Sequence, residues 1–361
     1  MNVIVANAGS SSVKLRVLDP GGDVLAGSDL TRDAELSAEV ERFVNTAPDV
    51  AAAGHRVVHG GAAFRDSVVV DTGVLHRLED LIDLAPLHNA PALELLRAVT
   101  ACTDMPQIAC FDTAFHAGMP EAAAEYPVPG SWRRDLGVRR YGFHGLSHEW
   151  AAERAIELLG SPREEPRLVT CHLGAGASLA AVLGGRSLDT TMGFTPNEGL
   201  VMATRSGSVD PGMLMWVQRR LGLSAGAMDA ELEHNAGLLG LSGTADMREL
   251  EARSQSEPDA RAALDVYLHR LRAGIACMAA AMDGVDAIVF TGGVGENSAL
   301  VRGECCTRLG FLGVAINSSA NHLAGAEDVD MSMAEARVRT LLVRSREDVV
   351  IAREVRRLAG G

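Results

Sequence analysis

The sequence predicts an α/β protein built on mixed sheets. Three observations predict it. Apolar runs of strand length alternate with segments of helical spacing in both halves of the chain. Hairpin-length turns rich in Gly and Ser separate several of those runs, so the sheets are not purely parallel. The turn G-S-S near the start and the turn G-A-G-A-S after Cys171 each follow one apolar strand and precede another. That correspondence predicts an internal repeat at the level of architecture, with two similar domains and no short solenoid period.

Taken in order, Asn2–Val5 opens a strand, Val13–Leu18 is the next, and Gly21-Gly22 turns the chain again. Leu78–Leu84 and Ala92–Val99 carry helical spacing, and Gln107–Phe111 is a short strand ending at Asp112. Ser147–Leu159 reads as a helix with Ser147 as its cap. Leu168–Cys171 and Ser178–Leu183 form a strand pair. Asp210–Leu221 and the Ala-rich Ala260–Met282 are helices. Ala287–Thr291 is a strand stopped by Gly292-Gly293. Leu341–Val343 is a late strand, and Asp348–Leu358 the final helix.

Composition narrows the function. The 361 residues correspond to about 2.4 domains at the usual ~150 residues each. With 47 acidic against 33 basic residues, the formal charge of −14 argues against non-specific nucleic-acid or anionic-membrane binding. A phosphate ligand is still allowed, since backbone N–H groups hold phosphate without net positive charge. An apolar share of 47% with 22% charged residues excludes disorder for the bulk of the chain. The six cysteines form no C-x-x-C pair and read as reduced thiols, and no basic leader precedes a long apolar stretch, so a cytoplasmic protein is expected. Leu168–Gly185 lacks formal charge, but its four glycines mark strand, loop, strand rather than a membrane span.

Three Gly/Ser turns follow apolar strands: N-A-G-S-S-S-V-K (Asn7 to Lys14), H-L-G-A-G-A-S (His172 to Ser178) and T-G-G-V-G-E-N (Thr291 to Asn297). Each lets backbone N–H groups converge on one point, as phosphate oxygens require. None matches the G-x-x-x-x-G-K-[ST] loop. One such turn is commonly a plain hairpin; three in one chain point to a nucleotide.

Charged residues in apolar surroundings come next. Arg56, within G-H-R-V-V-H-G-G, needs an anion, either a structural carboxylate or a substrate. Arg205 lies in a second small-residue turn, A-T-R-S-G-S-V-D-P. Two such arginines could clamp a carboxylate and a phosphoryl group. Asp112 closes a strand, where ligands of α/β sheets bind, or else caps a helix. His144 stands between Gly142 and Gly145, a setting for a ligand approach or for a satisfied structural imidazole. No histidine–cysteine metal pattern is present; Mg2+ held through oxygens is the metal expected. G-L-S-A-G around Ser224 fits a serine-nucleophile string, but a helix rather than a strand precedes it, so it reads as an interhelix turn.

These segments, together with L-A-P-L-H-N-A-P, F-D-T-A-F-H, R-R-Y-G-F-H-G-L-S-H and D-T-T-M-G-F-T-P-N-E-G-L, resemble the acetokinase family in content and in order from Met1 to the C-terminal helix. The resemblance implies two duplicated actin-like (ribonuclease H-like) domains with mixed sheets facing a central cleft, here 1–115 plus 350–361 and the nucleotide-binding 116–349. It implies a homodimer and a phosphotransferase with a carboxyl acceptor: ATP and acetate give ADP and acetyl phosphate, reversibly and by direct in-line transfer, with Mg2+ or alternatively Mn2+. By motif position, Asn7 and Glu347 would hold the metal, and Ser10, Ser12 and Lys14 would line the first phosphate turn. Arg56 would bind the carboxylate, with Val58, Leu87, Phe143 and Pro196 walling its methyl group. Asp112 would be an orienter rather than a base, because a carboxylate is already a nucleophile, while His144 and Arg205 would stabilise the moving phosphoryl group. His172, Leu173, Gly174, Ala175 and Gly176 would form the second phosphate turn, with Asp246, Met247 and Arg248 and then Gly293, Val294, Gly295, Glu296 and Asn297 completing the nucleotide site. The chain departs from the family pattern at Ala175 (usually Asn), Ser208 (usually an acid) and S-R-E-D around Glu347 (usually T-N-E-E), and is shortened mostly between Asp19 and Gly54. Val58 narrows the pocket toward acetate, although one methylene discriminates by only ~1–3 kcal/mol. The alternatives are a propionate or other short-chain carboxylate kinase, a non-catalytic nucleotide switch on the same fold, or an inactive member.

Overall fold

The computed structural model describes residues 1–9, 12–32, 35–160, 163–325 and 327–360. The chain divides into two compact units. One comprises Met1–Ala117, Phe143–Leu146 and Arg346–Gly361, the other Gly118–Gly142 and Ser147–Ser345.

The first unit is organised on a six-stranded sheet of β1 (Asn2–Ala8), β2 (Ser12–Leu18), β3 (Val24–Thr31), β4 (Val50–Val57), β5 (Val68–Val69) and β6 (Gln107–Phe111), in the order β3-β2-β1-β4-β6-β5. β1 to β3 form an antiparallel meander, β4 and β6 continue parallel to β1, and β5 closes the edge antiparallel. The interior strand β6 is buried along its whole length, its apolar residues Ile108 to Phe111 following Gln107, whereas the edge strand β3 alternates between exposed and half-buried positions. Helices Leu36–Thr46 and Pro86–Cys102 supply Val40, Val44, Leu95 and Val99 to a core shared with Ile4, Val13, Leu15 and Val17. The predicted Leu78–Leu84 helix is in fact two pieces, an α-helix over Thr72–Asp80 and a single 3-10 turn over Ile82–Leu84.

The final helix, Glu347–Ala359, packs on β4 through Gly54. A Cβ at Gly54 would lie 2.5 Å from both Ile351 Cγ2 and Val355 Cγ2. Glycine therefore lets this helix approach closely, and the approach sets Glu347, its first residue, beside the end of β4.

His55, inside β4, is 1% exposed and bonded to Gln107 Oε1 at 2.7 Å. Because Gln107 Nε2 donates to Met105 O, the amide oxygen faces the ring and Nε2 of the imidazole is the donor. Burial pushes the imidazole down to about 4 from 6.5, only partly offset by that bond. A folded pKa below the unfolded one contributes stability that is complete above pH 6.5 and is lost as the pH falls through about 4. The loss at the acid end is on the order of 3 kcal/mol. Urea unfolding midpoints measured from pH 7.5 to 4 should fall more steeply for the wild type than for His55→Gln; parallel curves would exclude His55 as the source.

The second unit repeats the first sheet's plan with β7 (Arg167–Leu173), β8 (Ala177–Leu183), β9 (Arg186–Thr190), β10 (Ala287–Thr291), β11 (Val329–Asp330) and β12 (Arg339–Leu342). Its order, β9-β8-β7-β10-β12-β11, again runs as an antiparallel meander, two parallel additions and an antiparallel edge. The 24-residue helix Pro258–Ala281 buries Ala260, Leu264, Tyr267, Leu268, Leu271, Ile275 and Met278, so one face of it is core. Asp210 caps the helix Pro211–Leu221, Gly222 (φ 67°) ends it, and Ser224 caps Ala225–His234 by accepting from Ala227 N at 3.1 Å. Ser224 is therefore an interhelix turn residue and not a nucleophile elbow. Ser147 is not a cap: the helix begins at Gly145 and runs to Leu159. All six cysteines are free thiols, and among the described residues no helix is long and apolar enough to cross a membrane.

Candidate active site

In the first unit the C-terminal ends of the three parallel strands bring Asn7 (β1), Arg56 (β4) and Asp112 (after β6) together. Arg56 forks onto Asp112, Nε to Oδ1 at 2.9 Å and Nη2 to Oδ2 at 2.6 Å, and its Nη1 donates to Asn7 Oδ1 at 3.3 Å. Glu347 Oε2 lies 3.8 Å from Arg56 Nε. Asp112 is fully buried and caps no helix; the 3-10 turn after it starts from Thr113. Burial disfavours the Arg56 charge, but the field of Asp112, then that of Glu347, and the bonds to Asp112 outweigh it and hold the guanidinium above its ordinary pKa. Burial, reinforced by Asp112 and Asp348, raises the Glu347 carboxyl above the usual range against the opposing pull of Arg56 and Lys14. Lys14 pairs across from Asn7 in the β1–β2 ladder, which directs both side chains to one face. Ser12 opens β2, its carbonyl accepting from Gly9 N at 2.7 Å; Ser10 lies outside the described residues.

The segment Phe143–Leu146 latches onto the end of β6. Gly145 N donates to Asp112 O at 3.0 Å, and a Cβ there would lie 2.0 Å from that oxygen, so no other residue fits. His144 is held at φ 55°, a left-handed conformation that costs a non-glycine residue energy and marks a constrained site. Phe143 is buried, its carbonyl bonded to His116 Nε2 at 3.1 Å and its ring edge-on to His59 at 5.2 Å. Val58 is buried, whereas Leu87 is 42% exposed on the helix Pro86–Cys102. Pro196 belongs to the second unit.

In the second unit the equivalent strand ends bring the other two turns side by side. Thr291 pairs with His172 in the β10–β7 ladder, and Gly292 (φ 79°) has no room for a Cβ, which would lie 2.9 Å from Leu173 O. Gly174 N closes the second turn onto Gly176 O at 2.9 Å, and Ala175 O accepts from Ala203 N at 3.1 Å. Ser147 Oγ meets His172 Nδ1 at 2.8 Å and so orients that ring. Val294 lies within the short helix Gly292–Asn297. The Glu296 carboxylate accepts from Gly292 N and Ser345 N and pairs with Arg344 at 3.1 Å, so it pins this turn to the end of β12. Asn297 Nδ2 donates to Gly293 O at 2.8 Å. Asp246 caps the helix Met247–Arg253 and pairs with Arg248 at 2.8 Å on the surface.

Arg205 contrasts with Arg56. Its Nη1 donates to Pro196 O at 2.7 Å, and among the described residues no carboxylate comes within ion-pair distance. Burial lowers its pKa, with only a partial return from the field of Glu233. A half-buried cation so poorly compensated has the electrostatics to take an anion.

The model of the acetokinase family matches residues 34–353. The chain belongs to the acetokinase family. It is 40% identical over 391 aligned positions to an acetate kinase from Carboxydothermus hydrogenoformans, covering 98% of each sequence. Its structure is similar to that of Porphyromonas gingivalis acetate kinase (TM-score 0.90, 36% identity, 99% of each chain) and of a propionate kinase from Francisella tularensis (TM-score 0.92, 32% identity, 99% of each chain).

Two departures from the acetokinase pattern have local explanations. Ser208 Oγ accepts from Gly199 N at 3.1 Å while Ser208 N donates to Gly199 O at 3.0 Å, so the hydroxyl supplies a local acceptor of its own. Ala175 takes part through its backbone, which any residue provides. Sequence reasoning missed Ser147, which orients His172, and Arg302, a buried guanidinium beneath the third turn. The signal for Arg302 was a cation placed directly after the apolar Ala299-Leu300-Val301, although Glu304 two residues later offered a local ion-pair partner instead.

Proposed function

We infer that this acetokinase-family chain is an ATP-dependent phosphotransferase with a carboxylate acceptor, and we propose acetate as that acceptor, with acetyl phosphate and ADP as products. The observation that carries the reading is the pair of differently committed arginines: Arg56 forked onto Asp112 at the ends of parallel strands, and Arg205 with no carboxylate in ion-pair distance among the described residues. The carboxylate oxygen of the acceptor attacks the terminal phosphorus in line, the bond to the departing diphosphate breaks, and no strong base is needed. Arg56, preset by Asp112, would orient the acceptor; Val58, Leu87, Phe143 and Pro196 would enclose its methyl group. Arg205 and His144 would meet charge on the phosphoryl oxygens. The turns at Ser10, Ser12 and Lys14, at His172 to Gly176 and at Gly293 to Asn297, with Asp246 to Arg248, would take the nucleotide.

A hard cation suits the first unit's donor set. Two carboxylates, Asp112 and Glu347, face one guanidinium, and burial leaves Glu347 under-compensated. Mg2+ (or Mn2+) needs only one or two protein oxygens beside phosphate and water, and Asn7 Oδ1 and Glu347 would provide them. Such an ion supplies charge neutralisation at the phosphates.

The matching strand order of the two sheets supports duplicated actin-like domains, 1–115 plus 350–361 and 116–349. A homodimer is proposed as well. The helices Pro211–Leu221 and Ala225–His234 hold no buried residue and expose Met213, Met215 and Trp216, which makes them the candidate contact. The charge of −14 supports a cytoplasmic protein without nucleic-acid or membrane partners.

The similarity to a propionate kinase favours a longer acid as the second reading. Hydroxamate trapping with acetate, propionate and butyrate, each with MgATP, tests both. Acetyl hydroxamate formed fastest supports acetate. Faster propionyl product moves the assignment to propionate. ATP hydrolysis indifferent to every acid overturns the kinase reading in favour of a nucleotide switch.

A further inference from the structure

The loop that offers Pro196 O to Arg205 is gripped from both ends. Arg140 Nη1 donates to Thr190 O, Thr191 O and Met192 O at 3.1, 3.1 and 3.0 Å, capping the end of β9 and the turn after it. Its Nη2 donates to Glu198 Oε1 at 2.9 Å. The other oxygen of Glu198 accepts from the Tyr126 hydroxyl, and that hydroxyl accepts from Phe194 N at 3.0 Å. The Arg140 guanidinium also lies over the Tyr126 ring, 5.4 Å from its centre. Burial and the bond to Glu198 hold the Tyr126 phenol well above its ordinary pKa, so it stays protonated as a donor.

Gly193 shows how tightly this cluster closes. A Cβ there would lie 1.7 Å from Glu198 Oε2 and 2.0 Å from Tyr126 Oη. The Gly193 carbonyl accepts from Tyr141 N at 3.0 Å and Gly142 N at 3.3 Å, the residues that immediately precede Phe143 and His144 in the chain. Pro196 thus lies between two latched points, Phe194 and Glu198. Among the described residues, the guanidinium of Arg205 makes its one side-chain hydrogen bond by donating to this short span. Gly199 and Ser208 exchange backbone and hydroxyl bonds that tie the Arg205 turn to the residue after Glu198.

We propose that Arg140, Glu198 and Tyr126 are positioning residues for Arg205: they fix the Pro196 carbonyl, and that carbonyl aims the guanidinium at the transferring phosphoryl group. The proposal rests on the phosphotransferase reading for what Arg205 does, but not for how Arg205 is held. Glu198 and Arg140 touch no reacting atom in this scheme. Their effect is on geometry, and a misplacement of about 1 Å at a charge-stabilising group costs on the order of a hundredfold in rate.

The test is a double-mutant cycle of Glu198→Gln with Arg205→Lys, assayed by hydroxamate trapping on the full chain, together with 15N spectra of the arginine side chains. Glu198→Gln alone should lower kcat about ten- to a hundredfold with little change in KM for MgATP. In the Arg205→Lys background it should lower kcat by less than about twofold further, because Lys does not reproduce the aimed guanidinium. The Arg205 side-chain signal should shift or broaden in Glu198→Gln while that of Arg302 stays in place. Tyr126→Phe, which removes one hydroxyl, should reproduce a weaker version of each effect if Glu198→Gln does not fold. Equal losses in both backgrounds, or an unmoved Arg205 signal, overturn the proposal. A wild type that phosphorylates no carboxylate overturns the functional reading instead, and the spectra then still decide whether the cluster holds Arg205.

Discussion

Replacing Arg56 with alanine should abolish detectable acyl phosphate formation and destabilise the first unit in the same variant. The two effects share one cause. Arg56 is the cation for Asp112, which is fully buried, and it also faces Glu347. Removing it leaves two carboxylates in a low-dielectric site with only the more exposed Lys14 nearby. Breaking a buried pair from one side costs about 3–5 kcal/mol. Loss of a charge-bearing donor at the reacting centre removes roughly a further factor of 10²–10³ in rate. Arg56→Lys should recover part of the stability and little of the rate, because an ammonium cannot fork onto both Asp112 oxygens while aiming at a substrate. Trapping assays and urea titrations of the two variants check this. An Arg56→Ala protein of wild-type stability would show that the carboxylates find another counter-ion, and one of wild-type rate would remove Arg56 from the reaction.

The position of Asp112 was legible because four consecutive apolar residues of a strand, Ile108 to Phe111, end on an acid, and strand ends are where α/β sheets bind ligands. The three Gly/Ser turns were legible for the same reason, each being a glycine-containing break after an apolar run. What Asp112 does was not legible, since a cap and a site carboxylate look alike until Arg56, 56 residues earlier, is seen across the β4–β6 pair. β3 was missed because an edge strand needs no apolar face: Val24–Thr31 carries Gly27, Ser28 and Asp29 in its middle and buries nothing fully. The misreading of Ser147 came from local chemistry alone. A serine near a helix start usually caps it, but here the helix begins two residues earlier and the hydroxyl is committed to His172. The Arg140–Glu198–Tyr126 cluster gave no sequence signal, because its bonds join residues 58 and 72 apart.

Arg302→Met should be the most damaging substitution outside the reacting groups. Arg302 is 2% exposed, and among the described residues no carboxylate comes within ion-pair distance of it. Its guanidinium donates to Gly295 O at 2.8 Å, Glu296 O at 3.0 Å, Asn321 Oδ1 at 2.8 Å and Asn321 O at 2.8 Å. Burial, then the like charge of Arg344, lowers its pKa to about 10, so it remains a cation at neutral pH. Methionine fills the volume but leaves those acceptors unsatisfied, at roughly 1–3 kcal/mol each before relaxation, for a net loss of about 3–5 kcal/mol. The Gly292–Asn297 turn loses its support at the same time. In whatever fraction stays folded, KM for ATP should rise while KM for the carboxylate holds. Denaturant titration and a two-substrate kinetic comparison read the two effects separately. A stable variant with unchanged ATP kinetics would mean that the turn is held by Glu296 and Arg344 alone.

The helix Glu347–Ala359 lies against β4 although nearly three hundred residues separate them along the chain. During synthesis the first sheet therefore emerges with one flank bare and is sealed only after the intervening second unit has been made. A ribosome that stops early releases a product with neither that seal nor the Glu347 carboxylate. The apolar side of β4 then stays uncovered, the kind of transiently exposed surface that aggregates until its helix arrives.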